Sequence, residues 1–271
     1  LNQLHKGHPG VEATKRRAKD LMFWPTINAD IESTVMSCPP CNQMMPHQQK
    51  EPMMMQEVPT LPWTIVATDI FEWHGKHFSV IVDSFSGWYS IDRLYSLTSS
   101  AVIDKLKRQF SDHGIPLKLM TDNAKQYKCE EFEEFARVWD FEHITSSPTY
   151  PQSNGLAERA VRSAKELMEK CYLEGSDMYL ALLHTRTVPR NGDLGSSAQR
   201  LMSRQLRTPL PTTKSQLKPS IVKQVTAKIK KKRTQVKAHY DKSAMKLPAL
   251  KTGQVVRLQS DKGHNRLATV K

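Results

Sequence analysis

The stretch from residue 63 to residue 145 constrains the fold of this 271-residue chain most tightly. It opens with three segments separated by short turns, at 63–71, 77–83 and 88–94. Their apolar character and alternation predict β-strands. Consecutive strands joined by short turns form an antiparallel meander, so we expect the fold to begin with one.

Helical and strand patterns then alternate. A helix is predicted at 101–113, with Ser99 or Ser100 as its cap and Gly114 as its end. The remaining elements are a strand at 117–121, a helix at 129–139 and a strand at 141–145. This order predicts an α/β mixed sheet of the ribonuclease H type. Functional residues of such sheets gather at strand ends, where the sequence places Asp69 and Asp122.

The stretch 146–165 reads as a proline-containing loop followed by a helix with Glu158 in its first turn. Arg162 and Lys165 follow this glutamate at plus four and plus seven, which puts all three side chains on one helix face. Two interpretations remain open for this face. It is either a surface ion pair, or a carboxylate backed by two cations that suits a metal and a phosphate-bearing substrate.

Asp69, Asp122 and Glu158 are three acids that the predicted topology brings together. Three carboxylates repel one another unless a cation lies among them, and hard oxygen ligands suit Mg²⁺ or Mn²⁺. Two such ions ~3.5 to 4 Å apart can hold the attacking and leaving oxygens of a phosphodiester. The sequence therefore predicts metal-assisted phosphoryl transfer. It contains no nucleophile elbow and no glycine-rich phosphate loop.

Residues 1–49 predict a small helical domain with a zinc site. A helix at 11–23 is followed by a second one ending near residue 36, and potential ligands flank the pair. Two histidines and two cysteines suit tetrahedral zinc, and ~50 residues have too little core to fold without such a staple. The alternative is a pair of surface histidines and a chance C-x-x-C. The four potential ligands are His5, His8, Cys38 and Cys41.

The basic character of the chain is concentrated in its tail. The net charge is +13, and the part from Lys214 onward holds 16 Lys and Arg against 2 Asp and Glu. This segregation predicts a polyanion-binding extension on a near-neutral body. The run formed by Lys230, Lys231, Lys232 and Arg233 is a nuclear localisation signal, a phosphate-binding patch or a solvated helix face.

The expected domain organisation follows from these patterns. A linker at 50–62 joins the zinc domain to a core at 63–210, and a basic linker helix occupies 211–247. Residues 248–271 resemble the first strands of an incomplete small β-barrel. The few cysteines favour a reducing compartment. No apolar run approaches the ~20 residues of a membrane span, so we expect no membrane partner.

Taken in order, these motifs resemble those of retroviral-type integrases of Ty3/gypsy LTR retrotransposons or their domesticated descendants. The resemblance rests on the paired H-x-x-H and C-x-x-C, the ATDIF and TDN segments, and SPTYPQSNGLAERA with a D-x35-E spacing. It runs from His5 to about Pro211. It implies that the three acids bind catalytic metals and that the histidines and cysteines bind zinc. It also implies that Asn154, Arg162 and Lys165 lie near DNA ends and that the tail ends in an SH3-like DNA-binding barrel.

The resemblance implies two reactions at one site, which are 3′-end processing of donor DNA and strand transfer into target DNA. It further implies self-association and a nuclear location with cytoplasmic transit. Two alternatives are a non-catalytic DNA-binding relic, and a ribonuclease H-like nuclease without strand transfer.

One departure from the family pattern bears on the Asp122 turn. Ala124 stands where the family commonly has glycine. If this position required a positive φ, alanine would cost about 1 kcal/mol and displace Asp122.

Overall fold

The computed structural model describes residues 1–44, 52–146, 155–189, 194–246, 249–260 and 263–271. The chain divides into two compact units, each with its own interior. One unit comprises Leu1–Met54 together with Lys237–Lys271, and the other comprises Met55–Val236. Asn154 lies outside the described residues.

The first unit contains three helices, α1 (Val11–Lys19), α2 (Ile27–Ser37) and α3 (Pro39–Gln43). Its small apolar core is formed by Leu4, Ala18, Ile27, Ile31 and Val35. Helix α1 is shorter than predicted, because the backbone N–H groups of Leu21 and Met22 both turn back to the carbonyl of Ala18. The same unit holds an antiparallel pair of strands, β6 (Val255–Ser260) and β7 (Gly263–Thr269).

The second unit is built on five strands, which are β1 (Ile65–Trp73), β2 (Lys76–Asp83), β3 (Tyr89–Leu94), β4 (Lys118–Thr121) and β5 (Glu142–Thr145). They form one mixed sheet with the order β3-β2-β1-β4-β5. The first three strands pair antiparallel, whereas β1–β4 and β4–β5 pair parallel. The predicted α/β class and the opening meander are therefore confirmed.

Helices cover both faces of this sheet. The first four helices of this unit are α4 (Ser99–His113), α5 (Glu130–Val138), α6 (Gly155–Glu174) and α7 (Met178–Thr187). Apolar side chains of α4 and α5 share one buried cluster with the sheet, and those of α6 and α7 share another. The described chain then continues through α8 (Ser197–Met202), α9 (Lys214–Leu217) and α10 (Val225–Asp241).

Helix α4 shows how local sequence sets an element boundary. The predicted caps Ser99 and Ser100 are wrong, because both residues lie inside the helix. Thr98 is the cap, and its hydroxyl accepts a hydrogen bond from the Ala101 N–H at 3.3 Å. Gly114 ends the helix as predicted, with a φ of 92° that glycine adopts without strain.

Small side chains let α6 approach the sheet closely. Ala157, Ala160 and Ala164 are buried in the same cluster as Ala67 and Phe71 of β1. Because side chains alternate along a strand, the residue between Ala67 and Phe71 that shares their face also points toward the α6 side. That residue is Asp69. None of the described helices is long and apolar enough to cross a membrane.

Candidate metal centres

The four predicted zinc ligands converge in the first unit. Cys41 Sγ lies 3.4 Å from His5 Nε2 and 3.5 Å from His8 Nδ1, and Cys38 Sγ lies 3.4 Å from His8 Nδ1. All four ligand atoms lie within 4.8 Å of one another. His5 is buried, while its three partners are reached more easily by solvent.

This cluster has the spacing of a tetrahedral zinc site. Zn–S bonds of about 2.3 Å and Zn–N bonds of about 2.0 Å at tetrahedral angles place sulfur and nitrogen about 3.5 Å apart. The observed distances agree with this value. Burial and the neighbouring Cys38 raise the pKa of the Cys41 thiol. Two thiols held this close become stable thiolates when a cation compensates their charge.

The carboxylate site begins with Asp69, and its predicted position at a strand end is wrong. Strand β1 continues to Trp73, because β2 stays paired with it up to Trp73 and Lys76. Strand β4, in contrast, pairs with β1 over Ile65–Ala67 and ends at Thr121. Extending that register brings Asp122 level with Asp69. The two carboxylates therefore lie side by side where β4 stops.

The turn after β4 accommodates Ala124 without strain. Its φ of −61° and ψ of 150° lie in the extended region open to any residue. The expected cost of replacing glycine is therefore absent. The N–H of Ala124 donates to Asp122 Oδ1 at 3.1 Å, so the turn also fixes one carboxylate oxygen.

Glu158 reaches the same side of the sheet from the first turn of α6. It is exposed and adjoins Ala157, whose burial fixes the rotation of the helix against β1. A carboxylate in the first turn also interacts favourably with the positive end of the helix dipole.

Electrostatics links the three acids. Burial raises the pKa of Asp69 to about 6, the charges of Asp122 and then Glu158 add to this, and the Ile70 N–H and Lys165 oppose it. The Ile70 N–H donates to Asp69 Oδ1 at 2.8 Å. A cluster of oxygen ligands with this charge repulsion suits a hard divalent cation such as Mg²⁺ or Mn²⁺. Within the described part of the chain, the group whose potential ligand atoms all lie within 4.8 Å of one another is the His/Cys cluster of the first unit.

The predicted DNA-contacting residues divide into two groups. Arg162 and Lys165 are exposed on α6, and the Lys165 ammonium lies 5.7 Å from the centre of the Phe71 ring. On α10, Lys230, Lys231 and Lys232 are exposed. The fourth basic residue of that run, Arg233, differs because its side chain hydrogen-bonds within the chain.

Arg233 NH1 donates to the linker carbonyls of Gln56 at 3.0 Å and Glu57 at 3.2 Å. Burial and the nearby Arg159 lower its pKa. One edge of its guanidinium is thus already engaged within the chain.

The sequence reading missed Tyr127, which is fully buried beneath the carboxylates. Burial raises its pKa well above the ordinary value, the neighbouring Thr68 side chain opposes the shift, and the charges of Asp69 and Asp122 increase it. The phenol stays neutral and packs edge-on against Phe132. The sequence signal for this residue was a tyrosine five positions after Asp122.

The fold and the two sites define a ribonuclease H-like core accompanied by a zinc-binding domain. Residues 1–47 match the integrase zinc binding domain family, and residues 59–151 match the integrase core domain family. The chain therefore carries the zinc-binding and core domains of an integrase.

Relatives among known proteins agree with this assignment. An uncharacterized protein of Caenorhabditis elegans is 30% identical over 271 residues, covering 97% of this chain and 21% of that protein. The Gag-Pro-Pol polyprotein of Simian retrovirus SRV-1 is 31% identical over 160 residues, covering 58% of this chain and 9% of the polyprotein. The chain thus spans about a fifth or less of the length of these relatives.

A solved structure extends the similarity to three dimensions. A chain of the simian T-cell lymphotropic virus intasome in complex with PP2A regulatory subunit B56 gamma is 26% identical, with a TM-score of 0.58. The match covers 78% of this chain and 77% of that chain.

Replacing Cys41 with serine tests the zinc centre. We expect the purified native chain to contain about one zinc ion, and C41S to lose the ion and helical signal from the first unit, because the small core cannot fold alone. Metal analysis and far-UV circular dichroism measure both effects. Cys129→Ser, which changes a thiol outside the cluster, is the matched control. Zinc retained at native stoichiometry in C41S would contradict the assignment.

Replacing Asp69 with asparagine tests the cost of its ionised carboxylate, to which burial contributes most and the charges of Asp122 and Glu158 add. The pKa of Asp69 is raised from 3.8 to about 6, so the stability that its proton contributes is fully present below about pH 4 and is lost as pH rises through 6. Without added divalent cation, we expect D69N to be more stable than the native chain at pH 7.5 by about 1 to 2 kcal/mol. The full shift corresponds to about 3 kcal/mol, and partial solvent access reduces it.

Urea denaturation followed by tryptophan fluorescence at pH 4 and pH 7.5 measures this difference. The two proteins should have equal stability at pH 4, and Asp104→Asn, on the exposed face of α4, should behave like the native chain at both pH values. Equal stability of D69N and the native chain at pH 7.5 would show that the ionised Asp69 carboxylate carries no such cost.

Proposed function

We propose that this chain is the integrase portion of a Ty3/gypsy-type LTR retrotransposon polyprotein, or a domesticated descendant of one. Its core would join the ends of element DNA to target DNA. The observation that carries this proposal is the placement of Asp69 beside Asp122 where β4 ends, with Glu158 on the same side of the sheet, within the residues that match the integrase core domain family and its flanking helix.

The three carboxylates have the chemistry to hold divalent cations. Asp69 and Asp122 adjoin where β4 ends, and Glu158 approaches from α6 on the same side of the sheet. Mg²⁺ or Mn²⁺ held there would supply charge stabilisation for the attacking and leaving oxygens of a phosphodiester. With its pKa raised to about 6, the Asp69 carboxyl is largely ionised at neutral pH, as a metal ligand must be, and a proton would compete with the cation only as the pH falls through about 6.

The basic side chains on the same helix would position the nucleic acid. Arg162 and Lys165 lie one and two turns beyond Glu158 on α6 and are exposed. A phosphodiester presented to the carboxylates would therefore meet cations from the same helix, which hold the flanking phosphates in register. The exposed lysines of α10 provide a second region of positive charge.

Two phosphoryl transfers would use this site in sequence. In the first, water attacks a phosphodiester near the donor end, the bond from phosphorus to the 3′ oxygen breaks, and a free 3′-hydroxyl remains. In the second, that hydroxyl attacks a target phosphodiester, a new bond joins phosphorus to the donor oxygen, and the target 3′ oxygen leaves. Neither step needs a covalent intermediate with the protein.

DNA and further copies of this chain are the proposed partners. The solved relative is an intasome chain, which supports assembly around DNA for this chain as well. The tail supports the same partner, because 16 of its residues from Lys214 onward are Lys or Arg. The strainless Ala124 removes one reason for regarding the chain as a non-catalytic relic.

A strand-transfer assay with Mg²⁺ or Mn²⁺ tests the enzymatic proposal. We expect joined products from the native chain, and a loss of at least about 100-fold in Asp122→Asn, because an amide cannot replace a carboxylate as a charge-compensating ligand. Asp104→Asn is the control for the removal of an acidic group outside the site. Equal DNA binding by the native chain and D122N with no product from either would indicate the DNA-binding relic instead. Nicked donor without joined product would indicate a nuclease.

Salt dependence of DNA binding tests the role of the α10 lysines. Each phosphate contact contributes about 0.9 to the slope of log K against log salt concentration. We therefore expect the triple variant K230A/K231A/K232A to lower the slope by about 1 to 3, measured by fluorescence anisotropy. A triple variant with alanine at Lys76, Lys107 and Lys170, three exposed lysines elsewhere in the core, is the matched control. An unchanged slope in the α10 variant would exclude these lysines from the DNA interface.

A further inference from the structure

The turn that carries Asp122 is tied to the neighbouring strand β5. Strands β4 and β5 run parallel, with Leu119 opposite His143. Beyond the ends of these strands, the Ser146 N–H donates to the Thr121 carbonyl at 2.9 Å, and the Asn123 side-chain amide donates to the Ser146 carbonyl. The Thr121 carbonyl and the Asn123 side chain, on either side of Asp122, are therefore both held by Ser146, the residue that follows β5.

A third connection runs through side chains. Thr121 Oγ1 lies 2.8 Å from the Asp122 carbonyl oxygen and 2.9 Å from His143 Nε2. A carbonyl oxygen can only accept, so the single hydroxyl proton of Thr121 is donated to Asp122. The hydroxyl then has only lone pairs left for His143. The imidazole must therefore donate through Nε2–H.

The surroundings hold this relay in place. Thr121 is completely buried, so solvent cannot replace either of its hydrogen bonds. The His143 ring packs against the Phe132 ring with centroids 4.8 Å apart, which restricts its rotation. Phe132 is itself completely buried in the core.

We propose that His143 is a positioning residue for the Asp122 carboxylate, acting through the Thr121 hydroxyl on the Asp122 carbonyl. This proposal rests on the proposed function, in which Asp122 binds a divalent cation. Aspartate has only two side-chain torsions, so the orientation of its backbone largely determines where its carboxylate points. The Ala124 N–H already holds Oδ1, and the relay holds the peptide group on the same residue.

Loss of the relay should weaken cation binding more than it weakens the fold. Groups that orient metal ligands from outside the coordination shell typically contribute 10- to 100-fold to metal affinity. Without the imidazole, the Thr121 hydroxyl loses the hydrogen bond that it accepts from His143. The hydroxyl can then rotate away from the Asp122 carbonyl. We therefore expect the dissociation constant for the cation to rise about 10-fold in His143→Leu.

Electron paramagnetic resonance of free Mn²⁺ measures this binding without any need for catalysis. The zinc-loaded full chain is titrated with Mn²⁺, and Asp122→Asn defines the signal from sites elsewhere. Thr121→Val removes the hydroxyl with little change in shape and should match H143L. The double variant should bind no more weakly than either single variant, because both remove one relay. His143→Gln places an amide donor near the Nε2 position and should keep the affinity within about 3-fold of the native chain.

His113→Leu is the control for the loss of a packed imidazole. His113 contacts the Trp63 and Trp88 rings at the end of α4, away from the carboxylates, so H113L should lower the melting temperature and leave Mn²⁺ affinity unchanged. The proposal is overturned if H143L and T121V bind Mn²⁺ as the native chain does, or if H143Q is impaired as much as H143L. If H143L does not fold, T121V carries the first outcome, and H143Q is compared with T121V for the second.

The strand-transfer assay separates this proposal from the proposed function. Weakened Mn²⁺ binding in H143L, with no joined product from the native chain, would leave the relay standing and refute integration. Joined product from the native chain, with Mn²⁺ binding unchanged in H143L and T121V, would refute the relay alone.

Discussion

Three carboxylates repel one another at one side of the core, and the fold holds them together against that repulsion. Burial and two neighbouring charges raise the pKa of Asp69 to about 6, and a single backbone N–H and Lys165 act in the opposite direction. The small residues of α6 make this arrangement possible, because they let the helix that bears Glu158 approach β1. A divalent cation bound there would offset this repulsion, so its binding would stabilise the folded core.

The zinc cluster and the carboxylate site are assembled in different ways. The four potential zinc ligands come from both ends of a helical hairpin with a core of only a few apolar residues, and their ligand atoms already lie within 4.8 Å of one another. Metal binding there would complete a small fold. The carboxylates instead stand on a five-stranded sheet and a long helix whose own packing is extensive. Their positions depend on the register of β1 with β4 and of β4 with β5, so the proposed metal site would not be needed to complete the fold.

Local sequence patterns predicted the order of strands and helices in the core, the four zinc ligands and the helix that carries Glu158. They did not locate Asp69 within β1, because the strand is lengthened by pairing with β2, which is a property of two segments together. The hydrogen-bond relay from His143 to Asp122 was not predicted for the same reason, since 22 positions separate His143 from Thr121 in sequence. Arg233 was assigned to a basic patch, yet its partners are linker carbonyls more than 170 residues away. Contacts that depend on such distant pairings have no local signature.

The central claim is that Asp69, Asp122 and Glu158 together bind divalent cations. Diffraction from crystals of the zinc-loaded chain grown with Mn²⁺, recorded above and below the manganese absorption edge, tests it most directly. The account predicts manganese density in contact with oxygens of Asp69 and Asp122, with Glu158 completing the ligand set, and none there in crystals of D122N. Well-ordered carboxylates without manganese between them, at saturating Mn²⁺ and neutral pH, would contradict it.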